Sequence, residues 1–236
     1  MTDALIATLL APCCACCRAP LEEPTRGAVC PACWASIPLA HDPLCETCGD
    51  ALSSWRTEAG HNRRCSRCHR SHRVITRGRS IGPYEGALRD IVHALKYEGR
   101  RSVAKPLGTL MIRAGAAVLD GADFAVPVPL HLARHYSRAF NQAAELAAHV
   151  GVPVVHALQR RRATATQTDL PEGQRHANVK DAFRLHRRIP AGSVVVVVDD
   201  VSTTGATVDA CARVLLAAGA REVRALTAAR AAARLP

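Results

Sequence analysis

Val194–Thr207 reads VVVVVDDVSTTGAT, and the order of residue types in it sets the fold. Five consecutive valines bounded by Gly192 and Asp199 are far short of the ~20 residues of a membrane span. They read instead as a strand buried on both faces, which belongs in a parallel sheet covered by helices. The strand ends at Asp199 and Asp200, and Thr203-Thr204-Gly205-Ala206-Thr207 then opens a helix. In such sheets ligands bind beyond the carboxyl ends of the strands. A loop of small residues lets backbone N–H groups converge on a phosphate, and the helix amino terminus adds positive potential. Thr203, Thr204 and Thr207 bring hydroxyls, and Gly205 permits close backbone approach. Two carboxylates beside a phosphate loop would repel the phosphate itself, so Asp199 and Asp200 suit the hydroxyls of a ribose. The segment therefore fits a phosphorylated ribose. The chain has neither G-x-x-x-x-G-K-[ST] nor G-x-G-x-x-G, which argues against a nucleoside-triphosphatase P-loop and a dinucleotide fingerprint.

Working outward, strands and helices alternate. Leu88, Ile91, Val92 and Leu95 lie at helical spacing and Gly99 terminates their helix. Leu107, Leu110, Met111, Ala114 and Val118 suggest a second helix. Phe124–Pro129 reads as a short buried strand running into a proline-stiffened loop, Ala143–Val150 as a helix and Val152–Val155 as a strand. Gln159–Asn178 is long, polar and arginine-rich, the composition of a loop or lid. Thr207–Ala218 is a helix capped by Gly219, and Glu222–Ala228 a final strand. The expected architecture is α/β, a doubly wound and mainly parallel sheet. The basic stretch Arg70–Arg79 has no clean periodicity, so the boundary is placed there, with one region over 1–72 and the α/β domain over 73–236.

The first region is dominated by cysteine. Ten of the chain's 11 cysteines precede residue 70. They include four C-x-x-C pairs in series: Cys14 with Cys17, Cys30 with Cys33, Cys45 with Cys48, and Cys65 with Cys68. Two residues between thiolates let one tight turn present both sulfurs to a tetrahedral ion, and two such turns close a structural zinc site. Cys17-Arg-Ala-Pro-Leu21 echoes Cys48-Gly-Asp-Ala-Leu52, so the ribbon is repeated and two zinc ions are expected. Cys13 with Cys16 is a further C-x-x-C, and only the repeat favours Cys14 and Cys17 over it. His69 could replace a thiolate. Cys211 falls on an apolar helical face, as an inert buried residue does.

Composition narrows the function classes. The chain has 236 residues, 48% of them hydrophobic and only 3% aromatic, so its core rests on Val, Leu, Ala and Ile. Met1–Ala11 lacks a basic start and a cleavage site, giving the expectation of a soluble, cytoplasmic protein without membrane insertion. The formal charge is +11, and eight thiolates around two zinc ions would leave roughly +7. That excess favours a polyanionic ligand or partner.

VVDDVSTTGAT resembles the phosphoribosyl pyrophosphate motif of type I phosphoribosyltransferases. His93-Ala-Leu-Lys-Tyr97, Val126-Pro-Val-Pro-Leu130 and Arg138-Ala-Phe-Asn-Gln142 are similar to motifs of the ComF family, competence-associated members of that superfamily. So is the lid order Thr166-Gln167, Leu170, Arg175, Asn178 and Phe183. Ala139 stands where that family usually has glycine. The resemblance implies that Asp199 and Asp200 bind ribose and that Val201, Ser202, Thr203, Thr204, Gly205, Ala206 and Thr207 hold its 5-phosphate. It implies a diphosphate half around Pro127–Leu130, with Arg134 and Arg138 following, Arg161 or Arg175 reaching in from the lid, and Lys96 near the site. It implies Mg²⁺ with the diphosphate. Three roles follow: a phosphoribosyltransferase, a non-catalytic factor acting on single-stranded DNA during uptake, or a sensor of phosphoribosyl pyrophosphate that signals to a DNA-uptake protein. No acceptor is specified by the sequence. Stacking of single-stranded DNA would fall to Trp34 and Trp55.

Overall fold

The computed structural model describes residues 3, 10–52, 63–71, 73–130, 140–161 and 181–231. In chain order the elements are α1 (Pro31–Ala35), α2 (Ser66–Arg70), β1 (Gly78–Pro83), α3 (Gly86–Tyr97), α4 (Ala104–Ala114), α5 (Ala116–Leu119), β2 (Phe124–Pro127), α6 (Gln142–Ala147), β3 (Leu158–Arg160), β4 (Phe183–Leu185), β5 (Val194–Ser202), α7 (Ala206–Ala217) and β6 (Glu222–Arg230). Four strands form one sheet in the order β1-β6-β5-β2. All three pairings are parallel.

The valine run occupies the middle of this sheet because every one of its side chains has an apolar face to meet. Val196 and Val198 pack with Leu88, Ile91 and Leu95 of α3 and with Leu107 and Met111 of α4. Val195 and Val197 turn to the opposite face, against Val208, Cys211 and Leu215 of α7. Helices thus cover both faces, and the doubly wound parallel architecture is as the alternation of elements implied. Cys211 is fully buried there.

Four expectations need correcting. The valine strand does not stop at Asp199: β5 continues to Ser202, because β6 runs on to Arg230 and pairs with it through Val201 and Ser202. A strand unanticipated in the basic stretch, β1, adds to the outer side of β6. Its buried positions include Gly78 and Gly82, and glycines carry no hydropathy signal. Val152–Val155 contributes a single parallel bridge, Val154 to Ala125, rather than a strand. The start of the expected lid is ordered, since Leu158–Arg160 pairs antiparallel with Phe183–Leu185. Residues 162–178 of that lid lie outside the described residues.

The cysteine region folds as two copies of one unit. Cys14 N donates to Ala19 O and Cys45 N to Asp50 O, both at 2.7–2.8 Å, while Leu21 N reaches Pro12 O and Leu52 N reaches Pro43 O. The knuckle position after each first pair has positive φ, +62° at Arg18 and +76° at Gly49. The first copy is not an appendage. Cys14, Leu21, Val29, Cys33 and Ile37 share one buried cluster with α3 and the sheet, and Ala40 N donates to Ile81 O of β1 at 2.7 Å. Among the described residues no helix is long and apolar enough to cross a membrane.

Gly82 marks how close this docking is. A Cβ on it would lie 1.8 Å from Pro38 O and 2.9 Å from Pro38 C, so backbone must move to admit a methyl group. Gly82→Ala is expected to destabilise by about 1–3 kcal/mol or more, the usual range for overpacking. Urea unfolding of the zinc-loaded protein checks this, and an unchanged midpoint would show that the contact is loose.

Candidate functional site

The two metal centres are formed by the expected ligands. The sulfurs of Cys14, Cys17, Cys30 and Cys33 all lie within 4.8 Å of one another, as do those of Cys45, Cys48, Cys65 and Cys68. A tetrahedral zinc with sulfurs at 2.3 Å needs them ~3.8 Å apart. Cys17 and Cys30 are 3.8 Å apart and Cys48 and Cys65 3.6 Å, so the donor set fits zinc. In each copy the third cysteine is the residue before a short helix, and its N–H points at the first sulfur: Cys30 N to Cys14 Sγ and Cys65 N to Cys45 Sγ, both 3.3 Å. Such bonds favour the thiolate. The competing pair is spoken for elsewhere. Cys13 is exposed, and Cys16 Sγ turns toward Ala87 O of α3 at 3.9 Å, where burial, and then the neighbouring Cys14, push its thiol up to about 12. His69 is exposed and outside both sets.

At the carboxyl ends of the strands, the two aspartates turn to opposite faces of β5, as successive strand residues must. Asp200 is buried and meets Lys96, which α3 delivers from its last turn with Nζ 2.8 Å from Asp200 Oδ2. Burial works against the Lys96 ammonium, but the Asp200 carboxylate outweighs it and holds Lys96 above the ordinary lysine range. Gln142 is buried and donates to the Lys96 carbonyl at 3.5 Å, which ties down the end of that helix. Asp199 lies within electrostatic reach of Arg160 of β3. Desolvation and the adjoining Asp200 charge raise its pKa to about 7, against the pull of Lys96.

The loop that follows is built as a helix entrance. Gly205 has φ +81° and precedes α7, and Thr204 Oγ1 accepts from Ala206 N at 3.3 Å. Thr203 Oγ1 is buried without a hydrogen-bond partner among the described residues. A buried hydroxyl in that condition is destabilising unless something polar meets it, and the described residues supply nothing that does. The absent Cβ of Gly205 has an unexpected neighbour: it would fall 1.8 Å from Nη2 of Arg73. Arg73 is almost fully buried, pairs with Asp209 of α7 at 3.2 Å and donates to Thr204 O. The close approach that this glycine permits is that of a guanidinium from behind the loop.

Other expected residues are distributed unevenly. Arg134, Arg138 and Arg175 lie outside the described residues. Arg161 is exposed, with its backbone N–H donating to Ala182 O at 2.8 Å, whereas Arg160 beside it is buried over the Phe183 ring. Asn141 caps α6, accepting from Ala143 N and Ala144 N, and its amide donates to Val128 O at 3.0 Å. It therefore anchors the Pro127–Leu130 loop. Trp34 is partly buried against the core, and Trp55 is outside the described residues. Sequence reasoning missed Asp50, Arg67, Arg73, Asp209 and Arg230. Their partners lie up to 180 residues away, beyond any local motif.

Fold and site together define a phosphoribosyltransferase-type domain joined to two Cys₄ zinc sites. Family models agree: a double zinc ribbon domain matches residues 5–69 and a phosphoribosyl transferase domain residues 136–236. The chain is 34% identical over 218 residues to the DNA utilization protein YhgH of Salmonella typhi, covering 83% of this chain and 94% of that one. It is 27% identical over 198 residues to Competence protein F of Haemophilus influenzae, covering 77% and 82%. It is 27% identical over 207 residues to Competence protein ComFC of Bacillus subtilis, covering 87% and 78%. The chain belongs to the ComF family.

Native mass spectrometry should find two zinc ions per chain. Cys17→Ser should lose one of them, whereas the double variant Cys13→Ser, Cys16→Ser should keep both. Loss of zinc from the double variant would transfer the first site to the other thiol pair.

Proposed function

We propose that this protein binds phosphoribosyl pyrophosphate together with Mg²⁺ and serves as a phosphoribosyltransferase-like protein in DNA uptake, with the zinc-binding region over 1–72 and the phosphoribosyl domain over 73–236. One observation carries the ligand assignment. The orphaned hydroxyl of Thr203 lies between β5 and α7, three residues beyond the carboxylate pair at the end of that strand. A phosphate at the helix entrance would meet hydroxyls, N–H groups and the helix dipole. The ribose hydroxyls would donate to Asp199 and Asp200.

In this reading Lys96 holds Asp200 in place before the ligand arrives and lies close enough to the site to meet an incoming diphosphate. Arg134, Arg138, Arg161 and Arg175 would neutralise that diphosphate, a role that needs charge and position but no proton transfer. Mg²⁺ usually takes one or two carboxylates and otherwise the oxygens of its phosphate ligand, so a single aspartate of the two would be donor enough. When bound it would offset charge between the diphosphate and the sugar. The lid would exclude water. The DNA role rests on the names of the relatives and on the basic charge.

Calorimetry with phosphoribosyl pyrophosphate and Mg²⁺ tests the ligand. Binding is expected for the wild type and at least tenfold weaker binding for the double variant Asp199→Asn, Asp200→Asn, measured below its melting temperature, which should fall because Lys96 loses its buried partner. Unchanged affinity would remove the carboxylates from the site. The pH dependence has a defined sign. Asp199, with a pKa of about 7, offers both oxygens as acceptors when ionised, and protonation turns one of them into a donor that faces the sugar hydroxyls. Affinity should therefore fall below pH 7 by up to about tenfold per unit, and Asp199→Asn should flatten that slope, leaving only titration of the ligand's own phosphates.

A second reading, direct binding of single-stranded DNA, is favoured by Arg63, Arg64 and Arg70, all exposed on the second ribbon. Such binding should weaken steeply with salt, with a log–log slope of about −0.7 per phosphate contact. A fluorescence titration between low and high salt measures it, and salt-insensitive or absent binding would exclude this reading.

A further inference from the structure

The second ribbon reaches the phosphate loop through a chain of guanidinium groups. Asp50, on the knuckle of that ribbon, has Oδ2 3.4 Å from Cys48 Sγ and 3.7 Å from Cys65 Sγ. The same carboxylate pairs with Arg230 at the end of β6 and lies 3.9 Å from Arg67 of α2. Both arginines continue into the loop: Arg230 Nη1 is 3.3 Å from Ser202 Oγ, and Arg67 Nη1 donates to Thr203 O at 3.3 Å. Five residues beyond Cys68, Arg73 holds Thr204 O and packs on Gly205. Ser202, Thr203 and Thr204 are therefore contacted in turn by three arginines: Arg230 of β6 and Arg67 of α2, which both meet Asp50 beside the second cluster, and Arg73, which follows that cluster in the chain. The first centre makes no comparable contact among the described residues and docks instead on α3.

The charges indicate what fills this arrangement out. Four thiolates around a divalent zinc carry a net charge of about −2, to which Asp50 adds one more negative charge. Arg67 and Arg230 face that cluster, and Arg79 donates to Cys45 O and Glu46 O at 3.3 and 3.2 Å. Both arginines that reach the loop therefore face a negative metal cluster as well as the Asp50 carboxylate.

We propose that the second cysteine cluster, Cys45, Cys48, Cys65 and Cys68, is a positioning element of the Ser202–Gly205 loop, linked to it through Asp50, Arg67 and Arg230, so that zinc in the cluster and ligand in the loop each tighten binding of the other. The linkage is reciprocal by necessity. In naming the loop's occupant it rests on the phosphoribose reading above, but the mechanical link does not.

Hydrogen exchange on the full chain tests the link without any ligand. Cys65→Ser should raise exchange in peptides spanning 202–208 at least tenfold, while Cys17→Ser, which breaks the first cluster, should leave them within twofold. Equal exchange in the two variants would overturn the proposal. Since Cys65→Ser can unfold more than its ribbon, a second arm keeps all eight ligands. Zinc release to the chelator 4-(2-pyridylazo)resorcinol is followed with and without Mg²⁺–phosphoribosyl pyrophosphate, with Cys17→Ser identifying the release phase of the second cluster. Ligand should slow that phase by at least about fivefold, the low end of ordinary coupling between sites, and Arg67→Gln should abolish the slowing. Ligand that binds by calorimetry without slowing release would overturn the coupling. Ligand that does not bind at all would overturn the phosphoribose reading, and the exchange measurement would still decide the link.

Discussion

The parallel ladder between β5 and β6 is the constraint on which the rest of the molecule depends. It runs in register from Val194 with Glu222 to Ser202 with Arg230. Because the pairing persists past the valines, the aspartates are held on a strand rather than released into a loop. Strand alternation then sends Asp200 toward α3 and Asp199 toward β3. The same register brings Arg230 beside Ser202, and from there to Asp50 of the second ribbon. Tyr84 N donates to Arg230 O at 2.7 Å, so β1 is fixed to the same end. One row of hydrogen bonds therefore carries the orientation of the acidic pair, the entrance of α7 and the seat of a metal centre.

Much of this was legible in the sequence where the physical cause is local. Helical spacing gave α3, with Leu88, Ile91, Val92 and Leu95 all buried, and Gly99 and Gly219 mark its end and that of α7. The repeat of the C-x-x-C units identified the ligands, because chelation by a tight turn is a matter of a few residues. What escaped was set by contacts distant in the chain. β1 is drawn into the sheet by β6, some 140 residues later, and its glycines are chosen for the backbone that lies against them. Arg67, Arg73 and Arg230 looked like members of a general basic excess. Their burial and partners exist only once ribbon and sheet are folded together.

The distribution of stabilising forces matches the composition. With 3% aromatic residues, both faces of the sheet are filled by aliphatic side chains, and the small N-terminal units have few of their own. A structural zinc contributes an apparent 10–16 kcal/mol in ribbon-sized peptides, about as much as the whole stability of an ordinary domain. The ribbons thus depend on their ions to fold and on α3 and β1 to be placed. The sheet supplies the framework that the ribbons lack, and the ribbons supply walls that the sheet lacks.

The contact of Cys16 with α3 has a consequence for how the first ion finds its place. Cys13 with Cys16 and Cys14 with Cys17 are two frames of one spacing, offset by a single residue, and a nascent chain offers both to the metal. The offset frame would swing Cys14, whose sulfur receives the Cys30 N–H, out of the coordination sphere and pull Cys16 away from Ala87. Selection between the frames is therefore made within the ribbon by the Cys30 N–H and reinforced where Cys16 docks on α3. Synthesised in order, the ribbon emerges before α3, so the local preference acts first and the helix then closes off the alternative frame by burying Cys16.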